Sequence, residues 1–240
     1  MILITRPKKE ALKLQKELAD LNIKSIVDPM LSYTSFESRI PFAKKAYYLV
    51  ASVKAVEALF NSSGNVKNLK SAKFITIGNK SAKLLKNNNI CRVIKTYEDS
   101  SQLIESLSNQ NKVKKLFYLC GSQYNKIMLE KLKKLGIQTQ LVQVYKTIKK
   151  NNFNKITLHN FVTNKIKVIT FYSKSAVINF FDILQKAGIS VKATKLTYVC
   201  ISSNVGTEVK KNVSNSQIKK LVIAKKPNKR AMIEVIQSYS

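Results

Sequence analysis

Two serines stand where a β-type run gives way to a helical one. Val50-Ala51-Ser52-Val53-Lys54-Ala55-Val56 and Phe171-Tyr172-Ser173-Lys174-Ser175-Ala176-Val177 share the pattern Ser-x-x-Ala-Val. A serine at the carboxyl end of a parallel strand, just before a helix, offers a hydroxyl beside backbone N–H groups that lack partners within the helix. Such a corner binds carboxylates or phosphates. The same placement also describes a plain N-cap, whose hydroxyl serves only its own helix. Spacing is compatible with both readings. Ile77-Gly78-Asn79-Lys80-Ser81-Ala82 is a similar corner with Ser81 near a helix start, and its glycine and lysine spacing is not that of a Walker motif. Cys120-Gly121-Ser122 is a third turn of this kind.

Tyr145 follows the strand-like run Leu141–Val144 and opens an irregular segment. A tyrosine there either points its phenol into a cleft or packs half-exposed in a linker. His159 is the only histidine and lies in a polar, loop-like stretch, which reads as surface. There is no His/Cys/Asp cluster with metal-ligand spacing. The Gly-x-Gly-x-x-Gly fingerprint and the Gly-x-Ser-x-Gly elbow are also absent. The 13 acidic residues form no obvious catalytic pair. An enzyme built from this chain is expected to work without metal or cofactor, through binding, orientation and hydrogen bonds.

The elements that must hold these corners alternate along the chain. Ile2–Ile4, Ser25–Val27, Tyr47–Ala51, Phe74–Ile77, Ile90–Ile94, Leu116–Cys120, Leu141–Tyr145, Val168–Tyr172, Tyr198–Ile201 and Leu221–Ala224 read as strands. Between most of them lie amphipathic helical stretches, the first with Ala11, Leu14, Leu18 and Leu21 at helical spacing. Alternation of this kind predicts α/β architecture with parallel sheets covered on both faces. About ten strands are too many for one sheet in this length, so two sheets of about five are expected.

An internal repeat supports the division. The two Ser-x-x-Ala-Val corners match, Ile77–Ala82 falls at the place of Ile201–Gly206, Leu103-Ile104 at that of Met232-Ile233, and Leu116–Val144 echoes Ile2–Met30. A tandem cut near residue 110 and a split arrangement both satisfy the repeat. The irregular stretches Pro29–Pro41 and Lys146–Lys165 favour the split, as paired crossings between domains. The expected domains are therefore 1–35 with 148–240, and an inserted 36–147, with an acidic small molecule held in the cleft between them.

Composition narrows the partners. The formal net charge is +30, but only Arg6, Arg39, Arg92 and Arg230 are arginines, and the lysines are spread along the chain. That pattern, with abundant asparagine and isoleucine, reads as codon bias and solvated surface. It lacks the clustered arginines and aromatic-rich basic strip of a nucleic-acid binder. Cys91, Cys120 and Cys200 each lie in or beside an apolar run, as reduced core thiols do. No apolar run approaches the roughly 18 residues of a membrane span. The amino end turns polar after Ile4, unlike a signal peptide, so a cytoplasmic protein is expected.

Taken in order, these motifs resemble uroporphyrinogen-III synthases over nearly the full length. The resemblance rests on Ile4-Thr5-Arg6-Pro7, the twin Ser-x-x-Ala-Val corners, Ile77–Ala82, Leu119-Cys120-Gly121-Ser122, and the stretch from Gly136 to Tyr145-Lys146-Thr147. It implies two flavodoxin-like parallel-sheet domains joined by two crossing strands, one domain being split in sequence. It implies cyclisation of hydroxymethylbilane to uroporphyrinogen III with inversion of ring D and loss of water, by a cofactor-free lyase of haem biosynthesis acting as a monomer. By position, Arg6, Ser52, Ser81, Ser173 and Ser203 then fall to substrate binding and Tyr145 to catalysis. The sequence departs from the family pattern at Ala51 and Tyr172, where threonine is usual. It departs again at Ile201–Gly206, where Val205 supplies no hydroxyl and Ser203 or Asn204 stands in. A two-lobed, non-catalytic binder of an anionic metabolite uses the same corners and is the alternative.

Overall fold

The computed structural model describes residues 1–36, 40–61, 69–89, 92–109, 112–189, 196–213 and 218–239. Arg39, Ile90 and Cys91 lie outside the described residues. From the amino end the elements are β1 (Ile2–Ile4), α1 (Lys8–Ala19), β2 (Ser25–Val27), β3 (Leu31–Ser35), β4 (Tyr47–Val50) and α2 (Val53–Asn61). Then come β5 (Lys73–Ile77), α3 (Asn79–Asn87), β6 (Val93–Tyr97), α4 (Ser100–Ser108), β7 (Lys115–Gly121), α5 (Lys126–Lys134) and β8 (Gln138–Lys149). The chain ends with α6 (Lys155–Val162), β9 (Val168–Phe171), α7 (Lys174–Lys186), β10 (Leu196–Cys200), α8 (Ser203–Asn212), β11 (Ile218–Ile223) and α9 (Lys229–Gln237).

Contacts divide the chain into two compact units, Met1–Ser32 with Ile148–Ser240, and Tyr33–Thr147. The first holds a five-stranded sheet in the order β11-β10-β9-β1-β2, all of whose pairings are parallel. Counted along the chain that is the flavodoxin-like order 2-1-3-4-5. The six-stranded sheet has the order β3-β8-β7-β4-β5-β6, with parallel pairing from β8 through β6. Here β7 and β8 occupy the places that β1 and β2 hold in the other sheet. The sequence repeat is this shared order, with the chain entering it at a different strand.

Each sheet buries both faces, and strand periodicity sorts the side chains. Leu3, Ile169, Phe171, Tyr198 and Cys200 face α7 and α8, whereas Ile2, Ile4, Val168 and Val199 face α1 and α9. In the second unit, Tyr48, Val50, Phe74, Phe117 and Leu119 pack with α2 and α3, and Leu49, Ile75, Leu116, Tyr118 and Cys120 with α4 and α5. The two-residue period of a strand produces this alternation, and the near-continuous apolar runs are what strands buried on both sides require.

Three expectations need correction. Lys146–Lys165 is not irregular: β8 runs through Lys149, and α6 follows. Its buried positions are Thr157, Asn160 and Phe161, while Ile156 and Val162 are exposed, so apolar periodicity hides this helix. Asn154 starts it by accepting from the Thr157 N–H at 2.7 Å. Pro29–Pro41 contains β3, and the described strands number eleven. Leu21 is 42% exposed, because α1 stops at Ala19 and Leu21 lies in the turn beyond it.

The returning chain is tied into its unit by Asp28. This carboxylate is fully buried and pairs with the Lys150 ammonium, and its second oxygen accepts from the Asn154 N–H at 2.9 Å. Asn179 donates to the carbonyls of Met30 (2.9 Å) and Lys150 (3.0 Å), joining the same two segments. Removing the lysine leaves a buried, uncompensated carboxylate, a change that typically costs about 3–5 kcal/mol. Because the Lys150 side chain is 28% exposed, we expect the lower end of that range for Lys150→Met in urea unfolding. The double variant Asp28→Asn/Lys150→Met should recover most of the loss, and a single variant as stable as the parent would show that the pair contributes nothing.

Candidate functional site

In the unit Tyr33–Thr147, β4 ends at Val50 and the chain turns through Ala51 and Ser52 into α2. The Ser52 hydroxyl oxygen accepts from the Ala55 N–H at 3.1 Å, so it is an N-cap. It also lies 3.4 Å from the Tyr145 hydroxyl, with either oxygen able to donate. That separation is long for an O–H···O bond, so the two hydroxyls are neighbours held loosely, each able to reach another partner.

Tyr145 sits inside β8, not beyond a strand end. Pairing with β7 shifts register between Cys120 and Gly121, so Tyr145 comes opposite Gly121. The Ser122 N–H donates to the Tyr145 carbonyl at 2.9 Å. The Tyr145 ring meets Tyr33 edge-on, centroids 5.7 Å apart, and the Lys54 ammonium stands 5.2 Å from the Tyr33 ring. Lys54 also pairs with Glu57 at 2.9 Å.

A cavity of about 490 Å³ opens at these strand ends, lined in part by Ser52, Tyr145, Tyr118, Tyr124, Glu98 and Asp99. Asp99 is occupied in capping α4, accepting from the N–H groups of Ser101 (2.8 Å) and Gln102 (3.0 Å). Ser81 does not reach the cavity lining. It is 2% exposed, on the inner side of the first turn of α3. That turn starts at Gly78, whose φ of +83° suits glycine, and the Gly78 N–H donates to the Tyr97 carbonyl at 2.7 Å.

In the other unit, Arg6 follows β1 and Ser173 follows β9, its neighbour in the sheet. The Arg6 guanidinium lies 4.2 Å from the Tyr172 ring centroid. Among the described residues neither Arg6 Nε nor the buried Tyr172 hydroxyl makes a hydrogen bond of good geometry, so their attraction is through charge and the ring face. Ser173 caps α7, accepting from the Ala176 N–H at 3.2 Å. Ser203 is exposed in the first turn of α8, beyond β10. Its neighbour Ser202 is at the N-cap without a side-chain cap bond.

A serine that accepts from its own helix keeps an O–H to donate, so capping and ligand binding are compatible roles for Ser52 and Ser173. His159 is exposed on α6. Sequence reading missed Tyr33, Tyr118 and Tyr124. The rule that ligands meet parallel strands at their carboxyl ends pointed to Tyr118 and Tyr124, which flank the end of β7. Tyr33 carried no local signal, since its contact with Tyr145 spans most of the unit in sequence.

Strand-end corners on parallel, doubly wound sheets, present in both units, define a two-domain α/β ligand-handling protein. The family model for uroporphyrinogen-III synthase HemD matches residues 13–234. The chain belongs to the uroporphyrinogen-III synthase family. It is a cyclising lyase of haem biosynthesis, which converts hydroxymethylbilane to uroporphyrinogen III. Among solved structures it is similar to uroporphyrinogen-III synthetase from Helicobacter pylori, with TM-score 0.67, 17% identity, and coverage of 100% of this chain and 99% of that one. It is also similar to a mutant uroporphyrinogen III synthase from the extremely thermophilic bacterium Thermus thermophilus, with TM-score 0.60, 10% identity, and coverage of 99% and 98%. These likenesses establish the shared fold. No curated protein matches the sequence. Among the described residues no helix is long and apolar enough to cross a membrane, and no cluster of His, Cys, Asp or Glu would hold a metal ion.

Burial around the strand ends shifts several weak acids. It pushes the thiol of Cys120 up to about 11 and that of Cys200 to about 12, from an ordinary 9.0. It also pushes the phenols of Tyr118 and Tyr172 up to about 12 from 10.0, although the Arg6 charge pulls Tyr172 back. An acid whose folded value is raised holds its proton longer in the folded state than in the unfolded one. The resulting stability is complete below the unfolded value and is lost as pH rises through the folded one. We therefore expect the urea midpoint to fall progressively between about pH 9 and pH 12. Across the same range alkylation of Cys120 and Cys200, followed by mass spectrometry, should remain slow until the protein unfolds.

Proposed function

We propose that Tyr145 is the catalytic residue of the synthase reaction and that Arg6, Ser52, Ser173 and Ser203 hold carboxylates of the linear tetrapyrrole. The observation that carries this reading is the Tyr145 hydroxyl, 3.4 Å from that of Ser52 at the open strand-end cavity. Hydroxymethylbilane is a polycarboxylate. Serine hydroxyls beside helix starts suit such a ligand, and Arg6 adds charge. Ser81 contributes in this reading by shaping the Gly78 turn from within, and touches substrate only if the first turn of α3 opens.

The chemistry asks little of the protein beyond position. The pyrrole nitrogen of the terminal ring pushes electrons towards its hydroxymethyl carbon. The C–O bond breaks and the oxygen leaves with a proton as water, so that an azafulvene remains. Tyr145 donates a hydrogen bond or the proton to that oxygen; of the two carboxylates in the cavity lining, Asp99 is engaged in capping α4 and Glu98 accepts from the Gln102 amide. Attack from the substituted carbon of ring D gives a spiro intermediate, whose reopening and reclosure invert that ring. Unguided closure joins the chain ends head to tail and gives the symmetric isomer I. Holding the bilane folded for the crowded attack supplies the selectivity. In this proposal the protein works as a monomer in the cytoplasm, a compartment that suits the free, buried thiols of Cys120 and Cys200. Each domain, 1–35 with 148–240 and 36–147, contributes its own grips.

The purified protein, with chelator present and nothing added, should turn hydroxymethylbilane mainly into isomer III on chromatographic analysis. Isomer I alone, at the rate of a protein-free control, would favour the non-catalytic binding protein. General-acid help is typically worth about 10²–10⁴-fold, and a hydroxyl that leaves readily needs less of it. Tyr145→Phe should therefore lower kcat by at least about tenfold with little change in Tm. Full activity in that variant would leave Tyr145 a packing residue.

A further inference from the structure

Gly121 ends β7 opposite Tyr145, and the reason for a glycine there is not backbone conformation. The glycines with positive φ among the described residues are Gly78, Gly136 and Gly188. A Cβ at position 121 would instead stand 2.5 Å from Tyr145 Cζ, 2.6 Å from Cε2 and 2.9 Å from the phenol oxygen. Non-bonded carbons sit comfortably at about 3.5–4.0 Å, so even a methyl group and this ring position exclude each other. All three of those atoms belong to the outer end of one side chain and none to backbone. A methyl group therefore moves the ring and spares the strand.

We propose that Gly121 is a positioning residue for Tyr145, its missing side chain setting where the phenol stands. The ring lies against the bare backbone of Gly121, Tyr33 closes on it edge-to-face at 5.7 Å, and the hydroxyl then arrives 3.4 Å from Ser52. The register shift between Cys120 and Gly121 brings the two residues face to face, so bulge and glycine act together. Lifting the ring by about 1 Å breaks the already long contact with Ser52 and misplaces the proton donor, an error that can cost on the order of 10²-fold in rate. The inference rests on the synthase reading and on the role given to Tyr145.

The test is a cycle of Gly121→Ala, Tyr145→Phe and the double variant, with kcat, KM, isomer ratio and Tm measured on hydroxymethylbilane. The parent protein is assayed first. If it makes no isomer III, the synthase reading fails before Gly121 is judged. With an active parent, Gly121→Ala should fold, lower kcat by at least about tenfold and leave KM within about threefold, because glycine offers the substrate no side chain. In the Tyr145→Phe background the same change should cost nothing further, since the hydroxyl it misplaces is gone. Three results would overturn the proposal: parental kcat in Gly121→Ala, losses that multiply in the double variant, or full activity in Tyr145→Phe. Should Gly121→Ala fail to fold, Gly121→Ala/Tyr145→Ala decides. Folding of that pair supports the ring contact, and failure of both variants shows that the backbone, not Tyr145, excludes the methyl group.

Discussion

Parallel strands cannot be joined by tight turns. Each must be followed by a crossover that carries the chain back to the same end of the sheet, and a helix is the compact way to do it. Much else in this protein depends on that constraint. The crossovers cover both faces, so strands such as β1 and β9 bury side chains in alternation against helices on either side. They also place every strand-to-helix turn at one end of each sheet. Helix starts, with their unpartnered N–H groups and capping hydroxyls, therefore collect at that end without any selection for function. Ser52, Ser173 and Ser203 are residents of such turns, at positions that the topology already supplies.

Both units use the flavodoxin-like strand order, and in each the corner serine lies beside the point where that order reverses. Ser52 follows β4, which pairs with β7; Ser173 follows β9, which pairs with β1. Crossovers on the two sides of such a pair run in opposite directions, which leaves a crevice at the carboxyl ends. The cavity of the second unit lies at these ends. The chain leaves and re-enters the first unit once each, and the Asp28–Lys150 pair with the Asn179 amide holds those passages together. A buried carboxylate is an expensive way to make a connection, and it tolerates few substitutes because both of its oxygens are engaged.

The phenol of Tyr145 stands beside the Ser52 hydroxyl and aromatic surface, in a cavity that Glu98 and Asp99 also line. For a reaction whose leaving group is already pushed by a pyrrole nitrogen, that is a coherent arrangement. A strong acid would hasten unguided loss of hydroxide. In the role proposed for Tyr145, a weak, well-placed donor helps departure while the bilane is held for the crowded attack. Burial raises the proton affinity of the neighbouring Tyr118 phenol and Cys120 thiol, which keeps these two groups neutral.

The alternation of strand and helix, the internal repeat and the serine corners were legible in the sequence because each is a local pattern of burial and turn chemistry. Periods of about two and about 3.6 residues announce which face is inside, and Gly136 and Gly188 mark helix ends through their positive φ. The short helix α6 was not legible, because it buries Thr157 and Asn160 and exposes Ile156 and Val162. Nor was the burial of Ser81, since a motif gives the spacing of a hydroxyl but not the side of the helix wall on which it falls. The setting of Tyr145 was the least accessible. It depends on a one-residue register shift between β7 and β8, on the absence of a side chain at Gly121, and on Tyr33 from the neighbouring strand β3, which is remote in sequence. Local sequence determined which elements form and where their ends offer hydroxyls and N–H groups. Only the tertiary structure decided which of those groups meet, because register and contact at a distance are properties of packing between strands and not of any one of them.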